Sequence, residues 1–224
     1  ELIAAEGHNH AVAPWDWRFY SEKVRAARFA FNEAEIKPYV QLEKMIAAAF
    51  ATAEKLFGIT IHQHEGVEAY HPDVRVFEVL NADGDRIAVF LGDYFARSSK
   101  RSGAWMSSFQ DQHRLAGDSG DQEQIPFVIN VMNFAKSAAG QPVLITMDDA
   151  RTLFHEFGHA LHGMLSNVTY PSISGTSVSR DFVELPSQLF EHWLTVPSIL
   201  QEYAVHYETG EPIPDELIKK LKSA

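Results

Sequence analysis

The sequence contains no cysteine. That excludes a disulfide framework and a thiolate metal site, so any metal must be held by His, Asp or Glu. Positive charge is scarce: 19 Lys and Arg face 30 Asp and Glu, for a formal charge of −11. Such a balance disfavours a nucleic-acid partner, because phosphate binding needs a basic surface. The short basic cluster between Arg97 and Arg101 reads as a solvated loop. No apolar run reaches membrane-spanning length, and the first residues lack the basic start and apolar stretch of a secretory leader. The expectation is a cytoplasmic chain, in a reducing compartment, that engages neither nucleic acid nor membrane. The first residue is Glu1 rather than Met, and the last, Ala224, follows an amphipathic run. The chain therefore reads as a portion of a longer architecture.

What is present is the material of a folded core. The 224 residues are 46% hydrophobic and 22% charged, enough to bury a substantial interior in one unit spanning 1–224. Apolar residues recur at helical spacing over 15–35 and again over 38–57, with Pro38 placed to open the second helix. The period then shortens. Val74, Val76 and Val79 lead into Asn81-Ala82-Asp83-Gly84-Asp85, and residues 87–90 follow, which predicts a hairpin because Asp-Gly accepts the positive dihedrals of a tight reversal. Further strands are expected over 104–109 and 126–133, separated by a polar loop at 111–124. Helices follow. Thr146 with Asp149 has the form of a capping box ahead of a helix over about 148–165, and more helices are expected over 179–194, 197–207 and 214–221.

The helix over 148–165 carries His155-Glu156-Phe157-Gly158-His159. Residues four apart on a helix differ by about 40° in direction and about 6 Å in height, so His155 and His159 project from one face toward one ion. Glu156 lies beside them, where a carboxylate takes a proton from water and later passes it to a leaving amine. Phe154, Phe157, Leu161 and Met164 form a separate apolar stripe, which leaves the histidine face free for chemistry. A catalytic zinc has three protein ligands and an open fourth position. His162 shares the face but stands about 10 Å along the axis from His155, too far for three imidazoles of one regular helix to converge; it reads as a packed histidine. The metzincin pattern requires Gly and His where this chain has His162 and Leu165, so that class is excluded. The remaining common solution is a carboxylate on a following helix. Asp181, Glu184 and Glu191 are all available, and spacing does not choose among them. Pro186 disturbs any helix through that segment.

Three segments resemble the thimet oligopeptidase and dipeptidyl carboxypeptidase family of zinc peptidases: Phe154-His155-Glu156-Phe157-Gly158-His159-Ala160-Leu161-His162, Ser174-Gly175-Thr176, and Asp181-Phe182-Val183-Glu184-Leu185-Pro186-Ser187-Gln188. Upstream, Ala13-Pro14-Trp15-Asp16-Trp17, His71-Pro72-Asp73-Val74-Arg75, Gly92-Asp93-Tyr94-Phe95-Ala96-Arg97 and Lys100-Arg101-Ser102-Gly103-Ala104-Trp105 are most similar to the bacterial dipeptidyl carboxypeptidase branch. The likeness runs along nearly the whole chain. Carried over position by position, it implies that His155, His159 and Glu184 hold one Zn2+ and that Glu156 is the general base. It further implies that Gly103-Ala104-Trp105 and Ser174-Gly175-Thr176 line a cleft in which a short peptide lies as an added strand. Asp181 and Gln188 are candidate partners that orient the histidines.

The fold this implies is α+β, predominantly helical, with a zincin-like core whose small, mostly antiparallel sheet stands beside the motif helix. Family members also carry a helical region ahead of this segment and a later Tyr- and Gly-rich stretch with a His that donates to the oxyanion. Neither lies in these 224 residues. Two readings follow: a zinc-dependent peptidase acting on short peptides, either weakly active as it stands or completed by further sequence or by a segment from another chain, or a zinc- and peptide-binding domain without efficient hydrolysis. Other features read as incidental. His8 with His10 and His62 with His64 are taken as surface histidines, and Asn167-Val168-Thr169 as a chance match to a glycosylation acceptor.

Overall fold

The computed structural model describes residues 3, 7, 11–29, 32–115 and 123–223. His8, His10 and the middle of the 111–124 loop lie outside the described residues. The described elements, in chain order, are α1 (Trp17–Phe29), α2 (Glu33–Ile36), α3 (Leu42–Phe57), β1 (Thr60–Gln63), β2 (Arg75–Leu80), β3 (Arg86–Phe95), β4 (Trp105–Gln110), β5 (Phe127–Phe134), α4 (Met147–Met164), α5 (Glu184–Leu194), α6 (Pro197–Tyr203) and α7 (Asp215–Ser223), with short 3-10 turns at Lys37–Tyr39 and Pro171–Ile173. No helix among them is long and apolar enough to cross a membrane.

The long first helix expected over 15–35 is interrupted. Asn32 is extended and its side chain accepts from the Ala34 amide, a local bond that starts α2 afresh. Pro38 lies in the 3-10 turn, not at the head of the next helix, which begins four residues later. The backbone in between is already engaged: Leu42 N–H donates to Val143 O at 2.8 Å and Ile145 N–H to Val40 O at 2.9 Å. Glu184 likewise begins a helix that was expected from 179. Pro186 is its third residue, where a missing amide hydrogen costs nothing, and the four residues before Glu184 are turn rather than helix.

The five strands form one sheet in the order β1-β2-β3-β5-β4. Three pairings are antiparallel and one, β3 with β5, is parallel. The sheet is therefore mixed, because β4 runs out to the edge before β5 returns between it and β3. The β2–β3 hairpin forms as the sequence suggests. Gly84 has φ 86°, and Asn81 Oδ1 accepts from the amides of Asp83 and Asp85 at 3.0 and 2.9 Å.

Helices α3 and α4 pack on one face of the sheet. Phe50 of α3, Phe77 of β2, Phe90 of β3 and Phe157 of α4 meet with ring centroids 5.0–6.0 Å apart. Phe154, Phe157, Leu161 and Met164 are all buried, so the apolar stripe of α4 faces the core as its spacing requires. At the far end of α4, a Cβ on Gly163 would stand 2.8 Å from Met106 Cε and 3.2 Å from Val128 Cγ2. Glycine there lets the helix lie directly over β4 and β5.

The loop that leads into β4 is held by a buried carboxylate. Asp93, 1% exposed, accepts from Arg97 Nη1 and Nη2 at 2.7 Å each, from Tyr70 Oη at 2.6 Å and from Lys100 Nζ at 3.2 Å. Lys100 also donates to the carbonyls of Asp93, Phe95 and Met132, which lie near the adjacent ends of the parallel strands β3 and β5. Asn133 Nδ2 ties the same loop to β5 through Arg101 O and Gly103 O at 2.9 and 2.7 Å. These bonds fix where the edge strand β4 starts.

Candidate metal centre

Helix α4 opens with the capping box read from the sequence. Asp149 N–H donates to Thr146 Oγ1 and Thr146 N–H to Asp149 Oδ2, each at 3.0 Å, so two otherwise orphaned amides are satisfied. Two turns on, His155 and His159 stand on one face with ring centroids 4.8 Å apart and planes at 86°. Their Nε2 atoms lie 3.3 and 3.2 Å from the same oxygen, Glu184 Oε2. One donor atom from each of the three residues lies within 4.8 Å of the other two, the sole such group of three or more found among the described residues.

Glycine at 158 permits this meeting. A Cβ there would sit 2.6 Å from Ser187 Cα, 3.0 Å from Phe190 Cβ and 3.1 Å from Pro186 O. Helix α5 thus rests directly on the backbone of α4, and Glu184, its first residue, reaches the histidines. Alanine would gain about 1 kcal/mol in helix propensity, but overpacking against a backbone atom costs about 1–3 kcal/mol, and the second term wins. Gly158→Ala is accordingly expected to lower the midpoint of thermal unfolding. It is also expected to weaken metal binding, measured by chelator competition, because Glu184 is pushed off the histidines.

The surroundings suit a divalent cation. Burial, followed by the neighbouring His155, holds His159 below the ordinary histidine range, which favours the neutral imidazole a metal needs. His159 Nδ1 is buried without a hydrogen-bond partner among the described residues. Two imidazoles and one carboxylate with no thiolate are a donor set that zinc accepts, leaving a fourth position open. Glu156 is 8% exposed. Burial pushes its carboxyl above the usual range, with Glu184 adding to the rise while His155 and a hydrogen bond from the Met106 backbone oppose it. The carboxylate therefore sits between the histidine face and the edge strand β4.

Of the three open candidates for a third donor, Glu184 joins the group. Glu191 takes another place: its Oε1 lies 2.6 Å from His155 Nδ1. Asp181 and Gln188 are exposed and make no hydrogen bond to a histidine of the group; the carboxylate at His155 Nδ1 is that of Glu191. Ser187, fully buried, donates to Glu184 Oε2 at 3.1 Å. No sequence pattern singled it out; it lies three residues from Glu184, a helix neighbour. His162 stays outside the group. Its ring packs 6.1 Å from that of Phe182, and it lines an apolar groove of about 520 Å³ between α3, α4, α5 and the loop after α4.

Two further segments lie against α4. Gly175, at φ 51°, brings its loop so close to α4 that a Cβ would lie 3.0 Å from Gly163 Cα. Its amide donates to Ser166 Oγ at 3.0 Å. Strand β4 forms the sheet edge, with Arg101 stacked 5.0 Å over the Trp105 ring. By contrast His62 and His64 are exposed and enter no metal group.

Residues 1–224 match Peptidase family M3. The chain is 47% identical over its whole length to the dipeptidyl carboxypeptidase of Escherichia coli (strain K12), of which it covers 32%. It is 40% identical over 214 residues, 95% of the chain and 31% of the relative, to oligopeptidase A of the same organism. A more distant relative is the mitochondrial intermediate peptidase of Arabidopsis thaliana, 31% identical over 215 residues, 95% of the chain and 30% of that protein. The chain thus spans about a third of the length of the curated relatives it matches.

Proposed function

Because this chain belongs to peptidase family M3, we propose that it is a zinc-dependent peptidase of short peptides, with His155, His159 and Glu184 as the metal ligands and Glu156 as the base. The observation that carries this reading is the convergence of the two Nε2 atoms on Glu184 Oε2 at 3.3 and 3.2 Å, one residue away from a buried carboxylate. We read the surrounding architecture as zincin-like and, since no cysteine is present, its compartment as the reducing cytoplasm.

When bound, zinc supplies Lewis acidity that polarises a carbonyl oxygen and brings the pKa of water down to about 7. Glu156 removes the proton of the attacking water and returns it to the departing amine, so no covalent acyl-enzyme is needed. The Met106 backbone of β4 beside that carboxylate works against the rise that burial causes. Strand β4 offers its outer edge to an extended peptide, which would pair with it as an added strand, and Ser174-Gly175-Thr176 would border the opposite side. The names of the relatives, a dipeptidyl carboxypeptidase and an oligopeptidase, support short peptides as the substrate class.

Coverage of about a third of those relatives favours a second reading: a zinc- and peptide-binding domain whose hydrolysis is weak until oxyanion donors arrive from sequence or a partner outside these residues. Loss of one such donor typically costs about 10²–10³ in rate. The test of the first reading is metal dependence. Hydrolysis of a short-peptide library, followed by mass spectrometry, should vanish in chelator, return on adding zinc and ignore a serine-directed reagent. Activity that persists in chelator would sink it.

A further inference from the structure

Glu184, Ser187 and Glu191 follow one another by three and four residues, which places them along one face of α5. That face meets the histidines of α4 at two points. Ser187 donates to both the backbone carbonyl and the Oε2 of Glu184, at 2.8 and 3.1 Å. Glu191 Oε1 stands 2.6 Å from His155 Nδ1, a short contact between a ring nitrogen and a carboxylate. The two histidines are thereby unequal. His159 Nδ1 is buried and has no hydrogen-bond partner among the described residues.

A neutral imidazole carries one N–H, and a carboxylate can only accept from it. Beside Glu191 that proton belongs on Nδ1, which leaves the lone pair of Nε2 free on the side of Glu184. Glu191 is itself firmly seated. Phe190, the residue before it, stacks on Phe154 of α4 at 5.5 Å, and α5 rests against the bare backbone of Gly158. We infer that Glu191 is a positioning residue that fixes the tautomer and ring orientation of His155, making His155 the stronger and His159 the weaker imidazole donor to the metal. This rests on the zinc reading above and adds to it a division of labour between the two histidines. Partners of this kind commonly contribute 10- to 100-fold in metal affinity.

The test compares zinc dissociation constants of the full chain, Glu191→Gln and Glu191→Ala by competition with a chromophoric chelator, with thermal unfolding of each protein metal-free and zinc-loaded. Glu191→Ala is expected to bind zinc about 10- to 100-fold more weakly. Glu191→Gln should fall between, since its amide oxygen still accepts from Nδ1 without the negative charge. The rise in unfolding temperature on adding zinc should shrink in the same order. A role confined to holding α5 on α4 would lower the metal-free unfolding temperature and leave the affinity of the folded protein unchanged. Affinities of both variants within about twofold of the unsubstituted chain would therefore overturn the inference. If Glu191→Ala does not fold, Glu191→Gln decides by the same criterion. Should the unsubstituted chain itself bind no zinc, the zinc reading falls and takes this one with it, an outcome distinct from wild-type binding that is indifferent to Glu191.

Discussion

Glu156→Gln is expected to keep zinc at one ion per chain while lowering hydrolysis of short peptides by about 10²- to 10⁴-fold, the usual range for loss of a general base. The substitution preserves shape and most packing in a position only 8% exposed. The amide lacks only the ability to take and return a proton. None of the three metal donor atoms belongs to Glu156, so affinity should change little. Both kcat and kcat/KM should fall together, because the lost interaction belongs to the transition state and not to ground-state binding. Equal hydrolysis by the two proteins at equal zinc content would reject Glu156 as the base and favour the peptide-binding reading.

What could be read from the sequence was what depends on near neighbours along the chain. The capping box of Thr146 and Asp149, the pairing of His155 with His159 and the apolar stripe through Phe157 all span three or four residues, and helical periodicity reports them directly. The 81–85 reversal was legible for the same reason. Features that depend on distant segments were not. The parallel pairing of β3 with β5 requires knowing that β4 occupies the edge. Glu191 and His155 are 36 residues apart, so composition offered Glu191 only as one carboxylate among three. Choosing Glu184 needed the family likeness, since spacing left that place open. Gly158 reads in isolation as a weak point in a helix; its purpose is visible only when Ser187 Cα is found 2.6 Å from where its Cβ would be. The helix expected without a break over 15–35 failed through a local competitor that periodicity does not weigh, the side chain of Asn32.

Asp93 carries the largest stability effect expected away from the candidate site, and its sign with pH is fixed by its surroundings. Burial alone would raise its carboxyl; hydrogen bonds from Arg97, Tyr70 and Lys100 outweigh burial and hold it at about 2. Burial, with the Asp93 carboxylate beside it, drives the Tyr70 hydroxyl the other way, up to about 12. A carboxyl depressed in the folded state stabilises fully above its unfolded pKa, about 3.9, and loses that contribution as pH falls toward 2. The difference amounts to about 2–3 kcal/mol, given up between about pH 5 and pH 2. Asp93→Ala removes it at every pH and leaves two cations without their anion, for which loss of a buried partner costs about 3–5 kcal/mol. Lys100 keeps three backbone carbonyls as acceptors and Arg97, with 19% of its side chain exposed, can turn to water, so the cost should lie near about 3 kcal/mol. For a chain of this size that lowers the unfolding temperature at neutral pH by roughly 6–12 °C. The variant should also show a flatter acid limb than the unsubstituted chain, because the group that titrates there is gone. Thermal melts of both proteins from pH 2 to 7 measure the two effects together, and parallel acid limbs would show that Asp93 is not the group responsible. Since the same bonds set the start of β4, peptide hydrolysis by Asp93→Ala at a temperature where it remains folded should show a raised KM before any fall in kcat.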